Sequence, residues 1–128
     1  MGINFFSVAV GGACGAMVRY VVAMLLAGQW ANASWIATLG VNVGGCFLMG
    51  MMAGYLMQAV TMSEPVRLAL TVGFLGALTT FSTYALDSYG LLQRGELLLL
   101  ASYVLGSIIL CFAAFGVGLV LMRQLGLS

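Results

Sequence analysis

Four apolar runs, each long enough to cross a bilayer, leave almost none of this chain for any other purpose. A helix spanning a hydrocarbon core about 30 Å thick needs about 20 residues, and runs of that kind extend over about 3–27, 35–58, 64–89 and 96–122. Of the 128 residues 63% are hydrophobic and 5% are charged, four of them arginine and three acidic, with no histidine. A soluble domain needs a far larger polar shell, and the mean hydropathy of +1.16 confirms that none can be assembled. The expectation is an all-α membrane protein, one four-helix transmembrane domain over 1–128, with no linker or soluble domain.

The ends of the runs carry helix signals. The first stops at Gly28-Gln29-Trp30 with Asn32 beyond, Ser34 is placed as an N-cap for the second, and Trp30 and Trp35 suit the membrane interface. Ser63-Glu64-Pro65 opens the third with a capping hydroxyl, an acid and an early proline. A short loop over Gly90 to Gly95 precedes the fourth. The N-terminal run lacks a basic leader and is too long for a signal peptide, so it is expected to be retained. Gly11/Gly15, Gly40/Gly44 and Gly50/Gly54 are small-xxx-small pairs that let helices pack closely.

Several function classes fall away on composition. A formal charge of +1 offers no basic cluster for nucleic acid. Cys14, Cys46 and Cys111 lie far apart without CxxC spacing, so a zinc site or redox pair is not expected and they read as buried small hydrophobes. With no histidine and three scattered acids, no nucleophile is paired with a base, and an enzyme is not expected.

If the N-terminus is cytoplasmic, Arg67 and Arg123 lie inside, Arg94 lies outside and Arg19 sits in the outer half of the first helix. Two against two nearly erases the positive-inside bias. Either the chain inserts both ways and forms an antiparallel dimer, or a weak bias or the insertion machinery fixes one orientation.

The third run holds Gly73-Phe74-Leu75-Gly76-Ala77-Leu78-Thr79-Thr80-Phe81-Ser82-Thr83-Tyr84 at its centre. Glycines, β-branched threonines and competing hydroxyls make an interrupted helix one reading, and an unbroken helix whose hydroxyls bond back to its own carbonyls the other. If interrupted, the backbone must be buried in protein or line an aqueous cavity, with carbonyls free for a cation and amides free for an anion. Thr38 and Asn42 share a face of the second helix, continued by Gly45 and Met49, and Tyr103 and Ser107 repeat the i, i+4 spacing on the fourth. Each pair could staple helices, but donors on three helices fit a lined pathway. Arg19 lies about 6 Å past the middle of its run, a depth at which an ionisable group is functional unless it snorkels. Asp87 and Glu96 fall near span ends, so a carboxylate site for protons or cations is hard to build. Hydroxyls, an amide, a guanidinium and the electropositive ring edge of Phe81 favour a small anion.

Gly11-Gly12-Ala13-Cys14-Gly15-Ala16-Met17-Val18-Arg19-Tyr20, Gly40-Val41-Asn42-Val43-Gly44 and the Gly73 to Tyr84 segment resemble the motifs of the Fluc (CrcB) fluoride channels, in order and in a chain of the right length. The resemblance implies passive export of fluoride across the bacterial inner membrane by an antiparallel, dual-topology homodimer with two pores and a central structural sodium ion. It implies that main-chain oxygens of Gly76 and Thr79 hold the sodium and that Asn42 and Phe81 line the fluoride path. Ser82, Thr83, Tyr103 and Ser107 match polar positions in or near that path, and Arg19 matches the family's first-helix arginine. Tyr84 stands where the family usually has a second phenylalanine, which keeps a ring edge and adds a hydroxyl. The alternative is a small multidrug resistance-type dual-topology transporter, which relies on a glutamate in the first helix; here that helix has Arg19 and no acid.

Overall fold

The computed structural model describes residues 1–27, 34–58 and 62–126; Trp30, Asn32 and the turn at Gly28 to Trp30 lie outside them. Helix α1 covers Gly2–Ala27 and α2 covers Ser34–Leu56. The third span begins as α3, Glu64–Leu68, widens into a π-helix over Ala69–Leu75, closes with α4, Gly76–Leu78, and resumes as α5, Phe81–Gln93. Helix α6 covers Leu97–Leu125. Four spans are long and apolar enough to cross a membrane, the third running from Glu64 to Gln93, and large apolar side chains such as Phe5, Phe6, Leu98 and Phe112 point outward. That inversion is stable only where the surroundings are lipid or another apolar protein surface.

Glycine sets how closely the spans approach. A Cβ on Gly11 would overlap the Ala69 carbonyl and one on Gly15 the Phe74 carbonyl, so α1 lies directly against the π-helical backbone. Between α2 and α6, Gly50 meets the Phe115 carbonyl, and Gly54 approaches Leu119 O to 2.8 Å from where its Cβ would stand. The offset is 65 in both contacts (115 less 50, 119 less 54), so the two helices run parallel in one register. Gly40 and Gly44, the remaining pair, have nothing of their own chain within 4 Å.

Three local details differ from the sequence expectations. Ser34 is the first residue of α2 rather than a free cap, and its hydroxyl donates to Asp87. The third span continues through Gly90 to Gln93 because the turn uses Gly95, at φ 73°, as its left-handed residue. The Glu96 and Gly95 amides then donate to the Leu91 and Leu92 carbonyls in a Schellman turn. Cys14 is exposed rather than buried, while Cys46 and Cys111 are half-buried.

Because Gly50 abuts main chain that cannot retreat, Gly50→Ala is expected to cost about 1–3 kcal/mol by overpacking. Gly116→Ala, with nothing within 4 Å of its added carbon, is expected to be near neutral. Unfolding midpoints of the two variants in the same detergent would check this; equal midpoints would remove the close contact.

Candidate functional site

The third span is broken where the hydroxyl-rich sequence allowed a break. Thr79 (φ −81°, ψ 152°) and Thr80 (φ −150°, ψ 122°) are extended, and in a bilayer their backbone polar groups need partners supplied by the protein. Asn42 on α2 supplies both for Thr80: its Nδ2 donates to Thr80 O at 3.0 Å and its Oδ1 accepts from Thr80 N at 2.7 Å. The Thr80 hydroxyl caps α5, accepting from Thr83 N at 3.1 Å. Gly45 makes room, since a Cβ there would overlap the Thr79 methyl group. The back-bonded alternative also occurs, one residue earlier: Thr79 Oγ1 donates to Leu75 O at 3.0 Å.

These partners have a consequence for two carbonyls. In a continuous helix the Thr80 amide would bond Gly76 O and the Thr83 amide would bond Thr79 O. Here Asn42 takes the first amide and Thr80 Oγ1 the second. The oxygens of Gly76 and Thr79 therefore lose their helical donors, while among the described residues no three His, Cys, Asp or Glu side chains stand together to hold a metal. A small hard cation suits such a pair of main-chain oxygens.

An open cleft of about 450 Å³ runs beside the break and gathers Asn42, Gly76, Thr79, Phe81, Tyr84 and Ser107. Phe81 is 81% exposed. Its ring lies 5.3 Å from that of Tyr84, which lies 5.2 Å from Tyr103, which in turn meets Trp35 edge-on at 5.7 Å. The Tyr84 hydroxyl donates to Val104 O at 3.3 Å, so the extra oxygen ties α5 to α6. Ser107 Oγ and Tyr103 Oη are buried without a hydrogen-bond partner among the described residues. A second cleft, of about 330 Å³, is lined by Arg19, Tyr20, Ser34, Thr38, Thr80 and Thr83. Thr80 thus belongs to both clefts. Ser82 is exposed and contacts Thr80 Oγ1 at 3.2 Å, outside either cleft.

Asp87 lies six residues before the end of α5 at Gln93 and is tied into the fold. Its carboxylate accepts from Ser34 Oγ at 2.7 Å and Thr38 Oγ1 at 2.6 Å, joining α5 to the start of α2, and the Tyr103 hydroxyl faces the same group. The i, i+4 spacing of Ser34 and Thr38 carried that signal, but the acid they share lies about fifty residues away in sequence.

Residues 6–119 match the profile of the CrcB-like proteins, described as "CrcB-like protein, Camphor Resistance (CrcB)". The chain belongs to the CrcB family. It is 42% identical to a Methylococcus capsulatus protein over its whole length, 40% identical to one from Stutzerimonas stutzeri over 92% of it, and 43% identical to one from Agrobacterium fabrum over 96%. All three relatives are named fluoride-specific ion channel FluC. The chain spans 56% of the length of the Methylococcus protein, 95% of the Stutzerimonas protein and 98% of the Agrobacterium protein. With four apolar spans, this CrcB protein is a multi-pass protein of the bacterial inner membrane.

Asn42→Ala leaves the half-buried amide and carbonyl of Thr80 unpaired, a loss of about 1–3 kcal/mol. Faster hydrogen exchange is expected at Thr80 and through the first turn of α5, with the amides of Gly95 and Glu96 unchanged. Uniform exchange along the third span would mean that Asn42 does not hold the break.

Proposed function

We propose that the chain is a fluoride-selective channel that lets fluoride leave the cytoplasm passively and so limits its toxicity, working as an antiparallel dual-topology homodimer around one structural sodium ion. The broken third span carries this reading. A break in mid-span turns two half-helix ends toward each other, and the N-terminal end of α5 presents amides and a positive dipole end suited to an anion. Asn42, Phe81, Tyr84 and Ser107 stand on the cleft beside it, and the three relatives' names supply the identity of the anion.

Selectivity follows from the kinds of group available. Fluoride is small and tightly hydrated, so a pathway must replace its water with fixed donors and ring edges at short range. The exposed ring of Phe81 offers hydrogens, Ser107 a buried hydroxyl, and Asn42 an amide already oriented by Thr80. Tyr103, Thr83 and Ser82 extend the polar groups away from the break, and Arg19 places a cation on the second cleft. The carbonyls of Gly76 and Thr79 would hold the sodium with their counterparts from the second copy. That ion would supply positive charge that satisfies the carbonyls and offsets part of the charge of anions passing nearby. Gly40 and Gly44, unopposed within the chain, give the second copy a place to approach.

In sealed proteoliposomes the wild-type protein is expected to release fluoride, read with an ion-selective electrode, and to pass chloride at a far lower rate. Asn42→Ala and Phe81→Ala should abolish the flux while the protein remains folded, and full exchange of Na⁺ for a large organic cation on both sides should abolish it reversibly. Comparable chloride flux would overturn the selectivity, normal flux in both variants would move the pathway elsewhere, and sodium-independent flux would return Gly76 and Thr79 to helix packing.

Dual insertion has its own measurement. A C-terminal tag is expected to be reached by an impermeant label from both faces of the membrane, in intact cells and in inverted vesicles. Labelling from one face alone would reject the antiparallel pair.

A further inference from the structure

We propose that Cys46 and Cys111 form a two-thiolate site for a soft divalent ion of the mercuric type, bridging α2 and α6 at the wall of the polar cleft. The residues are 65 apart, the offset at which Gly50 meets Phe115 and Gly54 approaches Leu119. The same register pairs Asn42 with Ser107, which share one cleft, and Thr38 with Tyr103. Cys46 and Cys111 come next along the seam, at the same offset of 65 and between the Asn42–Ser107 and Gly50–Phe115 pairs, so the register sets them opposite each other. Both are free and half-buried, and Cys111 also lines the cleft of about 450 Å³ through which an ion can arrive.

Coordination chemistry narrows the ligand. With no third His, Cys, Asp or Glu beside them among the described residues, the pair cannot complete the tetrahedral shell that zinc prefers. Soft ions that accept two opposed sulfurs remain. Binding a divalent ion breaks two S–H bonds and forms two S–metal bonds, releases two protons to water and changes no oxidation state. The product is neutral. A monovalent soft ion on the same thiolates would leave a net negative charge within the membrane, where uncompensated charge is costly. The divalent ion is therefore preferred over silver or copper(I), and over zinc for lack of ligands. Bound there, it would cross-link α2 to α6 one turn from Asn42 and Ser107 and project metal into the cleft.

The test uses the full-length protein in detergent and in proteoliposomes, with Hg²⁺ as probe. Wild type and Cys14→Ala are expected to show the sulfur-to-metal charge-transfer absorption of a bis-thiolate, with two protons released per ion bound and none of it with Zn²⁺. Cys46→Ala and Cys111→Ala should each lose the band entirely. Retention of the band in either, or its loss with Cys14→Ala, overturns the site. Should either Cys variant fail to fold, the proton count in Cys14→Ala, which has only Cys46 and Cys111 as thiols, decides alone: one proton per ion rejects the bridge. The consequence for transport rests on the channel reading and is measured separately, as fluoride efflux relative to each protein's own metal-free rate. Inhibition is expected in wild type and Cys14→Ala and absent in the other two. Full efflux in mercury-loaded wild type overturns the effect on the cleft, whereas absence of efflux before metal is added counts against the channel reading and leaves the absorption band to judge the site.

Discussion

The pairing of Asn42 with the backbone of Thr80 is the interaction on which the polar centre depends. A break in a membrane span strands amides and carbonyls that water cannot reach, at several kcal/mol each in hydrocarbon. One carboxamide offers a donor and an acceptor on adjacent atoms, and at 3.0 and 2.7 Å it satisfies the carbonyl and amide of a single residue. An aspartate could accept but not donate, and a serine could not span both. By taking the Thr80 amide, Asn42 also deprives the Gly76 carbonyl of its helical donor, so the group that stabilises the break also creates its free oxygen.

A second level of order comes from the parallel register of α2 and α6. Gly50 and Gly54 of α2 meet α6 at Phe115 and Leu119, and the same offset of 65 matches Cys46 with Cys111, Asn42 with Ser107 and Thr38 with Tyr103 along the seam. The seam grades from hydroxyl and amide, through thiol, to glycine against main chain. Close approach at the glycine end fixes distance and rotation, which positions the polar end without requiring strong contacts there. That explains how Tyr103 and Ser107, 3% and 6% exposed, keep hydroxyls without partners among the described residues: backbone packing farther along the same helices holds them in place.

Much of this was legible in the sequence, for reasons that differ from residue to residue. The four spans follow from length and apolarity, which lipid enforces with little ambiguity. The interruption was legible as an alternative because Gly76, Thr79 and Thr80 are poor helix formers beside competing hydroxyls, but its exact place depended on Asn42, a partner on another helix. The π-helix at Ala69–Leu75 was not legible: Thr71, Val72 and Gly73 weaken an ordinary helix without specifying a wider one, which exists where Gly11 and Gly15 admit its backbone. Likewise the grip of Ser34 and Thr38 on Asp87, and the register that sets Cys46 opposite Cys111, are tertiary facts that spacing along one helix cannot reveal.

The break separates charge preferences that would conflict in a continuous helix. Toward its N-terminal side the last turn ends in carbonyls, Gly76 and Thr79, whose donors have been diverted; toward its C-terminal side α5 begins with amides and a hydroxyl cap. Half-helix dipoles act in the same sense, with a negative end at the first group and a positive end at the second. A cation and an anion can therefore be accommodated within a few residues of each other, each by the backbone and neither by a titratable side chain in the break itself. The carboxylate of Asp87, by contrast, sits a turn and a half farther along α5 and is already bound by two hydroxyls. Those hydrogen bonds soften its field toward the centre, and the same carboxylate ties α5 to the start of α2, so the amide end of α5 stays fixed against the Asn42 that holds it open.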